Sequence, residues 1–269
     1  MRAVWAGEPM RSYGVTASLL YQLTLRDFRQ RYVGSLLGWL WGVIHPLVLL
    51  AIYWFLFRHA FGARLPPEEA TDNYPLFLLA GMLPWLLFSE TLTRSAPALA
   101  EYSALVKRSV FPSEAVPLSI LASTVASHLL SVGVLLVAAA AWGHPPSLSL
   151  ALLPIWALPL ALFSLGLAWC AAGLQVYLKD TAQVLSVALM AWFWATPVFL
   201  PEAFYRGRVD FVLEWNPLRY AVLGYRGAIL GGSGPNFGET AFLVGSASTA
   251  AILGVLFFRR AKRGFPDVI

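Results

Sequence analysis

The sequence predicts an all-α integral membrane protein with six transmembrane helices. An interfacial amphipathic helix precedes the first span, and short re-entrant helices lie between the fifth and sixth. Three observations predict it. Of 269 residues, 58% are hydrophobic and only 12% are charged, with a mean hydropathy of +0.66; a water-soluble domain carries about 25% charge. Apolar stretches recur at lengths that cross a bilayer. The basic residues gather beside those stretches. The net charge of +5 and the pI near 9.5 therefore express the positive-inside bias, not a nucleic-acid partner. The single cysteine, Cys170, sits inside an apolar run, which excludes an intramolecular disulfide and a thiolate metal cluster.

The chain is organised around Arg26, Asp27, Arg29 and Arg31, which lead straight into the uncharged stretch Leu36–Phe57. At a helical rise of about 1.5 Å per residue that stretch reaches roughly 33 Å, enough for a first crossing. Residues 12–32 read as an amphipathic helix, with Val15, Leu19, Leu20, Leu23 and Phe28 on one side. It is expected to lie in the cytoplasmic interface, a soluble lead-in helix being the alternative. Arg2, Glu8 and Arg11 are present and no apolar core precedes Leu36. No cleavable signal peptide is therefore expected, and the N-terminus should stay in the cytoplasm.

The first span, about Leu36–Phe57, carries Trp39 and Trp41 near its inner end and Tyr53 and Trp54 near its outer end, with a kink at Pro46. The second, about Tyr74–Leu92, is interrupted by Gly81 and Pro84 and ends near Glu90 and Arg94, four apart in the favourable order for an ion pair. Residues 98–112 then read as a short cytoplasmic helix. The third span, about Val116–Trp142, repeats serine at 119, 123, 127 and 131 beside Thr124 and His128. That stripe suits close helix packing, or else forms a polar wall facing a substrate. The fourth, about Leu148–Tyr177, is expected to be broken by Pro154 and Pro159. Lys179-Asp180 turns into a fifth, about Thr181–Leu200, rich in aromatics at Trp192, Phe193, Trp194 and Phe199.

Residues 201–234 are too polar to span and too apolar for a free loop. Asn216-Pro217 marks a helix start there and Gly231-Gly232 its end. The segment reads as two short helices tucked against the outer face, re-entrant between spans five and six. The sixth span, about Phe237–Phe258, runs into Arg259, Arg260, Lys262 and Arg263. With this assignment Lys and Arg favour the inner side roughly two to one, which places both termini in the cytoplasm.

Signals for catalysis are poor. The four histidines, His45, His59, His128 and His144, lack metal-ligand spacing, and there is neither a nucleophile elbow nor a phosphate-binding loop. Carboxylates do not cluster within the spans, which argues against ion coupling. A transporter built this way must take its energy from a partner subunit. Aromatic rings at Tyr53, Trp54, Trp192, Phe193, Trp194 and Phe199 suit sugar C–H faces, although tryptophans in membrane proteins are usually interfacial anchors. Arg26, Arg29 and Arg31 fit topology and anionic headgroups, or bidentate contact with a lipid diphosphate.

Several segments resemble a known family. Arg26-Asp27-Phe28-Arg29-Gln30-Arg31-Tyr32, then Gly34-Ser35-Leu36-Leu37-Gly38-Trp39-Leu40-Trp41 and Pro46-Leu47, resemble the entry motif of ABC-2 type permeases that export polysaccharides. Leu105-Val106-Lys107-Arg108 with Phe111-Pro112 resembles the segment between spans two and three. Lys179-Asp180, Trp194-Ala195-Thr196-Pro197-Val198, Asn216-Pro217-Leu218, Tyr225-Arg226 and the basic tail resemble later signatures in order. The likeness is closest to O-antigen permeases, with teichoic acid and capsule exporters next.

The resemblance implies one transmembrane domain over residues 1–269, acting as a homodimer in the bacterial inner membrane. Two separate ATPase subunits would bind ATP and magnesium, so this chain needs no cofactor of its own and is no enzyme. A polyprenyl-diphosphate-linked polysaccharide would pass between the permease copies. Glu101, Leu105, Lys107 and Arg108 would couple to the ATPase, and Asn216, Pro217, Tyr225 and Arg226 would belong to the outer gate. A drug or lipid exporter of the same plan, and a membrane glycosyltransferase, are the rival readings. The latter would need paired carboxylates or a metal site at a membrane boundary.

Overall fold

The computed structural model describes residues 16–31, 35–56, 65–66, 69, 71–106 and 111–268. The chain is all-helical, with no strand among the described residues. Helix α1 spans Ala17–Gln30, α2 Trp41–Phe55, α3 Tyr74–Glu101, α4 Ser103–Val106 and α5 Ala115–Ala141. After them come α6 Leu153–Tyr177, α7 Thr181–Trp194, α8 Asp210–Glu214, α9 Pro217–Leu230, α10 Phe237–Ala261 and α11 Phe265–Val268.

Four helical stretches are long and apolar enough to cross a membrane: Tyr74–Glu101, Ala115–Ala141, Leu148–Tyr177 and Phe237–Gly264. The other two expected spans appear as shorter apolar helices. Helix α7 has 14 residues, about 21 Å against a hydrocarbon core of about 30 Å, and α2 has 15 up to the point where the described residues break off after Leu56. The reasons are local. At Gly38–Leu40 the chain forms a 3₁₀ turn before α2 begins. At the other end of α7, Pro197 disfavours the helical conformation at the residue before it, and the Thr196 hydroxyl donates back to the Trp192 carbonyl at 2.8 Å.

Prolines elsewhere act differently from expectation. Pro154 sits in the first turn of α6, where its missing N–H is no loss, and the helix continues through Pro159. Likewise α3 runs unbroken through Pro84 and Pro97 for 28 residues. The second span and the start of the 98–112 segment are therefore one helix.

Helix α3 is the central element and packs against α5, α6 and α9. Without a hydrophobic driving force in lipid, such contacts rest on close packing. Phe88 meets Phe163 at 5.8 Å and Trp192 at 5.2 Å between ring centroids, and Trp85 meets Phe193 at 5.3 Å. The tightest seam joins α6 to α10. Gly166 and Gly254 face each other there, and a Cβ on either would run into the other helix's backbone. A smaller core of Leu23, Leu99, Tyr102, Val116, Phe258 and Phe265 closes the basic end of the bundle. Helices α1 and α11 both pack there, so the first and last described helices lie at one end. At the opposite end, Asn216 caps α9 and Gly231 terminates it in the left-handed region, φ 80°.

Candidate functional site

At the basic end, α1 is held by charge as well as by packing. Thr16 caps it, accepting from the Leu19 N–H. Its next turns bury Leu23 and Asp27. Arg94 Nη2 on α3 donates to both Asp27 carboxylate oxygens at 2.7 Å, and the Ser123 hydroxyl of α5 donates to the same carboxylate. Arg31 pairs with Glu90 at 2.7 Å and donates to Ser127 at 2.9 Å and Thr124 at 2.8 Å. The i, i+4 pair Glu90–Arg94 is present at 3.7 Å, so Arg94 has its shorter contact with α1.

The serine stripe thus does two jobs. Ser119 and Ser123 are fully buried at the helix contact. Thr124, Ser127 and Ser131 help to line a cavity of about 360 Å³ between α2, α3 and α5, shared with Arg31, His45, Glu90 and His128. Because Pro46 has no N–H, the carbonyl of Gly42, another lining residue, lacks its usual helical donor. His128 closes the far side, hydrogen-bonded to the Tyr225 hydroxyl at 2.9 Å. A polar line therefore connects the α1 end to α9.

The expected site residues divide as follows. Of the arginines proposed for a lipid diphosphate, Arg31 is engaged as above. Arg26 lies 4.9 Å from the Tyr102 ring centroid, and Arg29 is exposed. Of the aromatics, Trp192 and Phe193 turn into the bundle, and Trp192 Nε1 donates to Asn216 at 3.0 Å. Tyr53 donates to the Met82 sulfur at 3.4 Å. Trp54 and Trp194 present exposed rings, and Phe199 packs 6.0 Å from Trp194. Glu101, the last residue of α3, is exposed, while Leu105 packs against the basic-end core. Lys107 and Arg108 lie outside the described residues.

Of the residues expected at an outer gate, Asn216 forms a joint between α7 and α9. Asn216 Oδ1 accepts from Trp192 and from the Leu218 N–H at 3.1 Å. Its Nδ2 donates to Thr196 Oγ1 at 2.9 Å and to the Ala195 carbonyl at 3.2 Å. Pro217 is buried beside it. Arg226 is buried with its guanidinium 3.5 Å from the Phe77 ring centroid, donating to the Phe77 and Val198 carbonyls. It fits because residue 81 is glycine: a Cβ there would stand 2.7 Å from Nη2. Arg219 pairs with Glu202, which also lies 3.7 Å from Arg206.

Sequence reasoning missed Asp27 and the backbone clamp on Arg226. A lone acid inside a basic cluster was the available signal for the first. Among the described residues no group of histidine, cysteine, aspartate or glutamate is placed to hold a metal ion.

A bundle of apolar helices, charged at its basic end and carrying a capped helical insertion at the other, defines a multi-pass membrane protein. The chain belongs to the ABC-2 type transporter family, whose profile matches residues 18–230. It is 26% identical over 261 residues to an O-antigen export system permease protein of Klebsiella pneumoniae, covering 95% of this chain and 96% of that one. To the O-antigen export permease of Myxococcus xanthus it is 32% identical over 183 residues, 68% of each chain. To the polysialic acid transport protein KpsM of Escherichia coli it is 27% identical over 218 residues, 78% and 80% of the two chains.

Proposed function

We propose that this chain is the permease half of an ATP-driven polysaccharide exporter in the bacterial inner membrane. Two copies form the path, two separate ATPase subunits dock at the basic end, and both termini face the cytoplasm. The cargo is a polyprenyl-diphosphate-linked glycan of the O-antigen kind. Relatives named for O-antigen and polysialic acid export, matched over most of their length, support the glycan class.

The observation that carries the reading is the outward face of the two short helices. On α7, Val184, Val187, Met190 and Trp194 are exposed at helical spacing, and on α2 Val48, Ile52, Trp54 and Phe55 are exposed. Two copies meeting on these faces would complete a wall with tryptophan on it. Aromatic faces hold sugars by many weak contacts, which permit sliding. Four spans at full length and two short apolar helices suit a six-pass permease whose segment 201–234 re-enters from the outer side.

The test is co-purification with the ATPase subunit and measurement of ATP hydrolysis with and without lipid-linked glycan. A stable complex whose turnover changes with glycolipid, and that dissociates when Leu105–Arg108 is altered, is the expected result. A chain that purifies without any ATPase, or transfers sugar alone, ends the reading.

A further inference from the structure

A second cavity, about 690 Å³ in volume, opens between α6 and α7. The two helices form a hairpin whose turn is locked. Gln175 Nε2 donates to the Lys179 carbonyl at 2.8 Å, and its Oε1 accepts from the Ala182 N–H at 2.7 Å. The Tyr177 hydroxyl ties this turn to the basic end of α10 by donating to the Ala261 carbonyl at 2.6 Å. At the far end Trp192 is fixed by Asn216 and by the Phe88 ring. Between these fixed ends lies an open slot, with Leu92 of α3 in its wall.

The lining is layered. Leu167, Ala171 and Leu174 on α6 and Leu185, Ala188 and Trp192 on α7 line it at helical spacing. Lys179, Asp180 and Thr181 stand together at the turn. From Thr181 to Trp192 the helix rises about 16 Å, close to half of a hydrocarbon core of about 30 Å. The slot is thus as deep as one leaflet, apolar in its depth and charged at its mouth.

Those properties select the occupant. Water needs several polar partners and does not fill an apolar slot. An empty slot forfeits dispersion contacts along its whole wall. In a bilayer the hydrocarbon at hand is the lipid acyl chain, one leaflet long, and the phosphate on its glycerol meets an ammonium at the mouth.

We propose that the α6–α7 slot holds one acyl chain of a glycerophospholipid from the leaflet at the basic end, with the lipid phosphate at Lys179 and the chain end against Trp192. Phosphate is common to these lipids whatever the headgroup, so the assignment needs no balance of the surrounding charges. It requires only that the chain sits in a membrane and is independent of the export reading.

Photo-crosslinking of the full-length chain in lipid nanodiscs tests this. The probes are phosphatidylethanolamine and phosphatidylglycerol with a diazirine in mid-chain, and a polyprenyl phosphate with a diazirine in its chain. Ile252, Leu253 and Leu256 are exposed on α10 and sample the bulk bilayer. Phospholipid labelling of Leu167–Leu174 and Leu185–Leu189 should exceed theirs by about tenfold. Ala188→Trp, at an exposed lining position, fills the slot and should remove the excess. Lys179→Gln should reduce it about fivefold. Even labelling of the slot and the α10 face would overturn the proposal, and a second copy or residues 1–15 seated in the slot would produce that result. So would undiminished labelling in folded Ala188→Trp or Lys179→Gln, or stronger labelling by the polyprenyl probe.

Discussion

Arg94 holds the Asp27 carboxylate through both oxygens at 2.7 Å, across 67 residues of sequence. The pair joins the helix that precedes the first span to the central helix of the bundle. Asp27 is almost fully buried and Arg94 largely so. Such a pair is weak evidence for added stability but strong evidence for register, because neither charge tolerates losing the other.

Removing one member should therefore cost more than removing both. Asp27→Asn leaves Arg94 with a neutral partner and should destabilise the purified chain by about 3–5 kcal/mol. Asp27→Leu combined with Arg94→Met should recover most of that loss. Denaturant unfolding in detergent micelles decides the matter: strictly additive losses would show that the two side chains are not coupled.

Two glycines in spanning helices should respond oppositely to alanine. At Gly81 a Cβ would stand 2.7 Å from Arg226 Nη2 and 3.1 Å from the Val198 carbonyl. Gly81→Ala should cost about 1–3 kcal/mol, as overpacking does, and reduce export. Nothing lies within 4 Å of a Cβ at Gly133. There alanine should be neutral or stabilising by up to about 1 kcal/mol through helix propensity. Thermal unfolding of both variants is sufficient, and equal effects would refute the Arg226 seat.

Asn216→Ala removes a helix cap worth about 1 kcal/mol and leaves the Trp192 indole N–H without its acceptor. The cost should exceed the cap alone, and in a Trp192→Phe background it should shrink. A double-mutant cycle measures the coupling; a coupling energy of zero would mean that the α7–α9 joint is held elsewhere.

Tryptophans two residues apart should separate folding from transport. Trp192 is packed against Phe88 and Phe163, so Trp192→Ala should destabilise by about 3–5 kcal/mol. Trp194 is 56% exposed, and Trp194→Ala should leave unfolding nearly unchanged while lowering surface glycan. Normal glycan display in folded Trp194→Ala would remove that ring from the path.

Much of the architecture was legible because its signals are local. Asn216-Pro217 and Gly231 announced α9 by capping chemistry, and the apolar runs announced the long spans. The start of α2 and the end of α7 were not legible, since a run of apolar letters does not reveal where a 3₁₀ turn delays a helix or a Thr-Pro step ends one. The direction of each side chain was equally hidden. Trp192 and Trp194 look alike in sequence, yet one turns into the bundle and the other out. Asp27 finds Arg94 and Arg226 finds two carbonyls only after distant helices meet, and no spacing rule encodes that.

The Gly166–Gly254 contact sets a mechanical limit. Where two helices touch through side chains, rotamer changes let them slide; where backbone meets backbone, there is nothing to rearrange. Helices α6 and α10 must therefore travel as one rigid strut. On the export reading, movement is left to elements joined by breakable side-chain links: α1 at Asp27, α7 at Trp192, and α9 at Asn216, Tyr225 and Arg226.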